Sequence, residues 1–105
     1  MIEFTSLKKA EQFERVKKEG QRFSNEGLEV FIKEGDTPGV RLGIQVSSKI
    51  ANAANRNKVK RRIKEATRHL EEKESIDMVV IVRKNGLKKD LSTIEKTLKK
   101  HPSFL

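Results

Sequence analysis

The side chains best suited to chemistry are crowded into one stretch, Ser47 to Arg68 (SSKIANAANRNKVKRRIKEATR). Lys49, Arg56, Lys58, Lys60, Arg61, Arg62, Lys64 and Arg68 stand there against a single acid, Glu65, and together hold seven of the nine net positive charges of the chain. Charges cannot be buried without partners, so this excess faces either bulk water or a polyanion. Asn52, Asn55 and Asn57 lie among the cations. Their amides add directional donors and acceptors to the guanidinium forks and ammonium point charges. What such a set does well is bind phosphate.

Bond-making chemistry is hard to find. A protein nuclease is expected to show acids clustered for metal, or a histidine paired with a nucleophile or an acid. His69 and His101 share no spacing with each other and there is no cysteine to join them, so each reads as a solvated surface residue and neither as a zinc ligand. The acids alternate with lysines, as on solvated helix faces, and no Gly-rich phosphate loop occurs. No catalytic residue and no metal site are assigned. Acting alone, the chain reads as a binder.

The elements that position the basic stretch are legible from periodicity. Val59, Ile63, Ala66 and Leu70 step by 4, 3 and 4, which is one face of an amphipathic helix aimed at a core. Lys49, Asn52, Arg56, Lys60 and Lys64 then run beside that face, and Lys58, Arg61, Arg62 and Arg68 spread over the back. Ser47 and Ser48 are the expected caps. Like charges at i, i+4 cost a helix roughly 0.2–0.5 kcal/mol per pair, a repulsion that an anionic ligand would remove.

Around this helix the chain is one small domain, residues 1–105, with 34% hydrophobic and 37% charged residues. A pI near 10.0 and mean hydropathy of −0.70 fit a basic binding protein. The absence of cysteine suits a reducing compartment, and no apolar run approaches the roughly 20 residues of a membrane span, so the cytoplasm is the expected location and no membrane partner is expected. Thr5 or Ser6 is placed to cap a first helix over 7–19, carrying Leu7, Ala10, Phe13 and Val16 and stopped by Gly20. Gln21 to Ser24 and Leu28 to Glu34 read as strands around a turn at Asn25-Glu26-Gly27. In the second of these, Leu28, Val30 and Ile32 share one face, with Glu29, Phe31 and Lys33 on the other. The Gly35–Gly39 loop precedes a strand over 40–47, whose Val40, Leu42, Ile44 and Val46 point inward while Arg41, Gly43, Gln45 and Ser47 join the Phe31 face. Met78 to Val82 has the composition of a central strand covered on both faces. Leu87, Leu91, Ile94 and Leu98 mark a last helix ending near Lys100.

Asn52-Ala53-Ala54-Asn55-Arg56-Asn57-Lys58-Val59-Lys60-Arg61, followed by Arg62-Ile63-Lys64-Glu65, resembles the signature of the bacterial ribonuclease P protein component, and the likeness extends into both flanks. Ala51 stands where that family usually has Gly, and Lys58 where it has a second Arg. The latter keeps the charge and loses the bidentate fork, which suits a phosphate better than a base edge. The resemblance implies an α+β two-layer sandwich in the order α-β-β-β-α-β-α, a four-stranded mixed sheet with three helices and an unusual left-handed βαβ crossover, similar to the ribosomal protein S5 domain 2-like fold. It also implies a protein subunit of ribonuclease P, one protein to one RNA, in which the RNA subunit with magnesium removes the 5′ leader of precursor tRNA. The protein itself binds no cofactor in that picture. Carried onto matching positions, Lys49, Asn52, Arg56, Asn57, Lys58, Lys60, Arg61, Lys64 and Arg68 are the expected RNA contacts. Phe13, Phe31, Gln45 and Ser47 would line a groove for the single-stranded leader, although Lys17 replaces the second aromatic common in the family.

A structural RNA-binding protein of ribosomal type is the alternative, since a small α+β domain with a basic helix would serve it equally. Duplex DNA is not expected as a partner, because a turn and partner helix at DNA-binding spacing are lacking.

Overall fold

The computed structural model describes residues 4–35, 39–68 and 75–102. Its elements run β1 (Phe4–Ser6), α1 (Ala10–Glu19), β2 (Gln21–Asn25), β3 (Leu28–Glu34), β4 (Gly39–Val46), α2 (Ala53–Arg68), β5 (Ser75–Val82), a 3-10 turn (Lys84–Gly86) and α3 (Leu91–Lys99). The sheet order is β1-β4-β5-β3-β2. β4 and β5 are parallel neighbours joined through α2, whereas β3 runs antiparallel to both β5 and β2. The mixed sheet of four strands and the three helices expected from the sequence are all present.

Three boundaries move for physical reasons. Phe4–Ser6 adds a short fifth strand parallel to β4, and Leu7 N prolongs the ladder by donating to Leu42 O at 2.8 Å. Thr5 and Ser6 are thus strand residues and not caps; α1 begins at Ala10, where Gln12 Oε1 accepts from the backbone N–H groups of Lys8 and Lys9, both at 3.0 Å. At the other end Leu87 is buried in the turn ahead of α3, which begins at Leu91 behind the cap Asp90, whose Oδ1 accepts from Thr93 N at 2.8 Å. Finally, β5 starts three residues before Met78. Asp77 is tolerated inside this central strand because Arg41, its register partner on β4, donates Nε to Oδ1 at 2.7 Å and Nη2 to Oδ2 at 2.6 Å.

Period-2 alternation separates two cores. On one face Leu28, Val30, Ile32, Val40, Leu42, Ile76, Met78, Val80 and Val82 meet Val59, Ile63 and Ala66 of α2 and Ile94 and Leu98 of α3. This is the two-layer body of the fold. On the other face α1 lies over part of the sheet, where Leu7 and Val16 pack on Phe31 and Val79. β5 is therefore covered on both sides, as its continuous apolar run requires.

The β2–β3 hairpin turns through Glu26 and Gly27, both at positive φ (53° and 76°), the pairing that matches strand twist in a two-residue loop. Glycine is required here twice over, since a Cβ on Gly27 would sit 2.1 Å from Gly86 N. That contact seats the hairpin on the 3-10 turn, with Arg83 N donating to Gly27 O at 2.8 Å.

His101 departs from its expected surface position. It is fully buried beyond α3, its Nε2 lies 2.8 Å from Gln21 O and its ring meets Phe23 edge-on at 6.1 Å. Aromatic geometry and a carbonyl partner explain how a titratable ring ends up inside; nothing in its local spacing announces it. His69 and Leu70 lie outside the described residues.

Burial lowers the His101 pKa from its ordinary 6.5, with the Gln21 carbonyl opposing the shift. Below pH 6.5 the unfolded chain takes up a proton that the native state resists, so stability is complete above that value and falls as pH drops toward the lowered native pKa. Urea midpoints at pH 7.5 and 5.5 should therefore show the native chain weaker at 5.5, and His101→Phe should remove most of that difference. An undiminished difference in the variant would contradict the assignment.

Candidate nucleic-acid interface

Asn52 and not Ser47 or Ser48 caps α2: its Oδ1 accepts from Asn55 N at 2.9 Å and its carbonyl from Arg56 N at 3.0 Å. The serines instead form a turn closed by Ile50 N donating to Ser47 O (3.2 Å) and Lys49 N to Ser47 Oγ (3.1 Å). Lys49 therefore sits ahead of the helix and outside the helical row predicted for it, because an Asx cap nearer to the first apolar anchor outcompetes the earlier hydroxyls.

Val59, Ile63 and Ala66 are wholly buried, and Thr67 beside them returns its hydroxyl to Ile63 O at 2.8 Å. This anchored face forces the cations outward. Asn57, Lys58, Arg61 and Lys64 are exposed, and Lys60 and Arg56 are half-buried along one flank. Arg56 Nη1 donates to Ala51 O at 3.1 Å, fixing its guanidinium against the preceding turn through a backbone carbonyl and leaving its other donors without a partner among the described residues. Among the described residues no carboxylate pairs with Arg56, Lys60 or Lys64. Arg68 differs, since Glu65 reaches it at 3.3 Å. Arg62 is drawn off the helix back altogether: its Nη2 donates to Leu87 O at 2.9 Å, tying α2 to the approach of α3, while its Nε is buried with no partner among the described residues.

The sheet face beneath α1 is partly closed. Phe31 shares it with Gly43 as the alternation requires, but is 7% exposed within the second core, so the expected open aromatic platform is corrected to a packed one. Phe13 lies over Gly43, where an added Cβ would fall 2.4 Å from the ring; the bare α-carbon admits an aromatic of the same chain. The next row lies at the margin of this second core, with Ile81 packed against it. It runs Ser24, Glu29, Ile81 and Gln45 across β2, β3, β5 and β4, with Ser47 exposed just past β4. Gln45 Oε1 accepts from Lys17 Nζ at 3.4 Å, and Lys17 also meets Glu14 at 3.0 Å. The first turn of α2 starts at this same end of the sheet, because only a short turn separates it from β4.

Glu29 is the feature that sequence reasoning missed. Its Oε1 accepts from Arg22 Nε at 2.8 Å and its Oε2 from Arg83 Nε at 3.1 Å and Arg83 Nη2. The hydrogen bonds of Arg22, then of Arg83, hold its carboxyl below the ordinary 4.5 against the opposing cost of burial. Both guanidiniums stay more than half exposed, at 57% and 61%, so the row is flanked by two fixed cations. Alternation alone pairs Arg22 with the Glu29 face; the Arg83 contact spans 54 residues of sequence and had no local signal. Among the described residues no three His, Asp or Glu side chains converge as metal ligands would.

A sequence profile of the ribonuclease P family matches residues 1–103. The chain belongs to the ribonuclease P protein family. It is 38% identical over 96 residues to the ribonuclease P protein component of Clostridioides difficile, covering 89% of this chain and 84% of that one. To the Macrococcus caseolyticus protein it is 36% identical over 94 residues, with 88% and 82% covered. The Staphylococcus aureus RNase P protein structure superposes with a TM-score of 0.79 at 31% identity, covering 93% and 92% of the two chains. The Thermotoga maritima RNase P protein does so at 0.70 and 33%, covering 82% and 84%. As a ribonuclease P protein the chain has its place in tRNA processing within a ribonucleoprotein, and its α2 carries most of the signature stretch.

Arg56, Lys60, Lys64 and Arg68 repel one another at successive i, i+4 positions, and relieving three such pairs is worth roughly 1 kcal/mol at low ionic strength. Lys60→Gln/Lys64→Gln is expected to raise Tm by a few degrees in dilute buffer, with the gain vanishing in strong salt. A lower Tm in dilute buffer would show that these lysines have acidic partners in the free chain.

Proposed function

We propose that this chain binds the RNA subunit of ribonuclease P and the 5′ leader of precursor tRNA, and so assists the endonucleolytic step that yields the mature tRNA 5′ end. One observation carries the reading: the flank of α2 bearing Arg56, Lys60 and Lys64 is held outward by buried Val59 and Ile63, and among the described residues no carboxylate pairs with these three cations. Elsewhere the chain compensates its arginines, at Arg41–Asp77 and at Glu29 between Arg22 and Arg83. A flank left uncompensated in such a chain suits an external polyanion, which releases counterions on binding.

The leader is assigned to the row of Ser24, Glu29, Ile81 and Gln45, rimmed by Phe13, Lys17 and Ser47. With Phe31 packed away, backbone phosphates and not stacked bases supply most of its grip, through α2 and the guanidiniums of Arg22 and Arg83. Such a groove has weak sequence preference, which suits an enzyme facing many leaders. In this reading hydrolysis belongs to the RNA subunit with its magnesium ions, and the protein binds and orients the substrate. The assembly is one protein to one RNA and works in the cytoplasm.

Reconstitution with a bacterial ribonuclease P RNA at low magnesium tests the proposal. The chain should raise the rate of 5′ maturation of precursor tRNA, and Arg56→Ala/Lys60→Ala should lose roughly tenfold in affinity with its circular dichroism unchanged. No gain in maturation from the native chain would overturn it.

A further inference from the structure

A cleft of about 370 Å³ opens between α2 and the start of α3, lined by Lys58, Arg61, Arg62, Glu65 and Leu91. That volume lies within the range of small-ligand clefts, roughly 300–1,000 Å³. A smaller, more enclosed recess of about 200 Å³ adjoins it, lined by Asn55, Lys58, Arg62, Leu87 and Lys88. Lys58 and Arg62 border both. The two hollows lie on the α3 side of the basic helix, away from the flank of Arg56, Lys60 and Lys64.

The walls combine one apolar side chain with several cations. Leu91 is half-buried at the N-terminal end of α3 and gives an apolar surface. The stems of Lys58, Arg61 and Arg62 extend that surface and carry their charge at the rim. Arg62 is held by its bond to Leu87 O, and its Nε is buried with no acceptor among the described residues. Glu65 closes the wall but is engaged with Arg68. A stacked duplex fills no such hollow, whereas one unstacked nucleotide offers a flat base for Leu91 and a phosphate for the rim.

We infer that the α2–α3 cleft receives a single extruded nucleotide of the RNA subunit, its base against Leu91 and its phosphate between Lys58, Arg61 and Lys88. The inference rests on the RNA-binding reading above and sharpens it: α2 would engage the RNA subunit on its α3 side and the leader on its opposite flank.

The test is equilibrium binding of the full chain to a transcript of a bacterial ribonuclease P RNA, with base-specific chemical probing of the complex. Leu91→Asn should weaken binding about tenfold, and one nucleotide shielded by the native chain should regain reactivity. Leu91→Met should bind like the native chain, and thermal melts separate a lost contact from a lost fold. The ratio of holoenzyme affinities for precursor with and without its leader should not change. Native-like binding and probing by a folded Leu91→Asn would overturn the cleft assignment, even if Arg61→Ala weakens binding by charge alone. If the native chain fails to bind the transcript at all, the broader RNA-binding reading falls instead.

Discussion

The structure depends on one constraint: α2 must be pressed onto the sheet by Val59, Ile63 and Ala66 while carrying seven cations of its own. Burying a Val or Ile side chain is worth roughly 1.5–3 kcal/mol. The i, i+4 repulsions along the outer flank cost about 0.2–0.5 kcal/mol each. Burial therefore wins, and the helix stays folded with its charge projected from a rigid base. A flexible basic tail would bring the same charge but would lose conformational entropy on binding.

Outside α2 the arginines Arg15, Arg22, Arg41 and Arg83 all pair with carboxylates, which sets the flank of α2 apart. Asp77 is admitted to the central strand only with the bidentate fork of Arg41 beside it. Glu29 is admitted to the sheet face only between two arginines. In both cases a buried carboxylate has its oxygens met by guanidinium donors, as burial of charge demands. The same pairing leaves the outer surfaces of Arg22 and Arg83 available, so compensation at Glu29 also positions cations. α1 adds the other limit by packing over the Phe31 row.

Much of this was legible in the residues. The 3.6-residue spacing of Val59, Ile63 and Ala66 placed the helix and its inward face, and strict alternation in Leu28–Glu34 and Gly39–Val46 assigned every side chain to the correct side of the sheet. The signature Asn52–Glu65 pointed to the family that the comparisons establish. What stayed hidden required contacts between residues distant in sequence. Alternation shows that Phe31 leaves the main core, but only the docking of α1 reveals a second core waiting for it. His101 meets Gln21 across 80 residues and Arg83 meets Glu29 across 54, so neither had a periodic signal. The cap was misplaced because Ser47, Ser48 and Asn52 all qualify by residue type, and only the backbone path selects Asn52.

The most direct measurement of the central claim is the ionic-strength dependence of the chain's affinity for ribonuclease P RNA. If about five side chains of the α2 region neutralise phosphates, log affinity should fall against log salt with a slope of roughly −3.5 for single-stranded contacts and more steeply for duplex ones. A slope near zero would mean that the cations of α2 face only water.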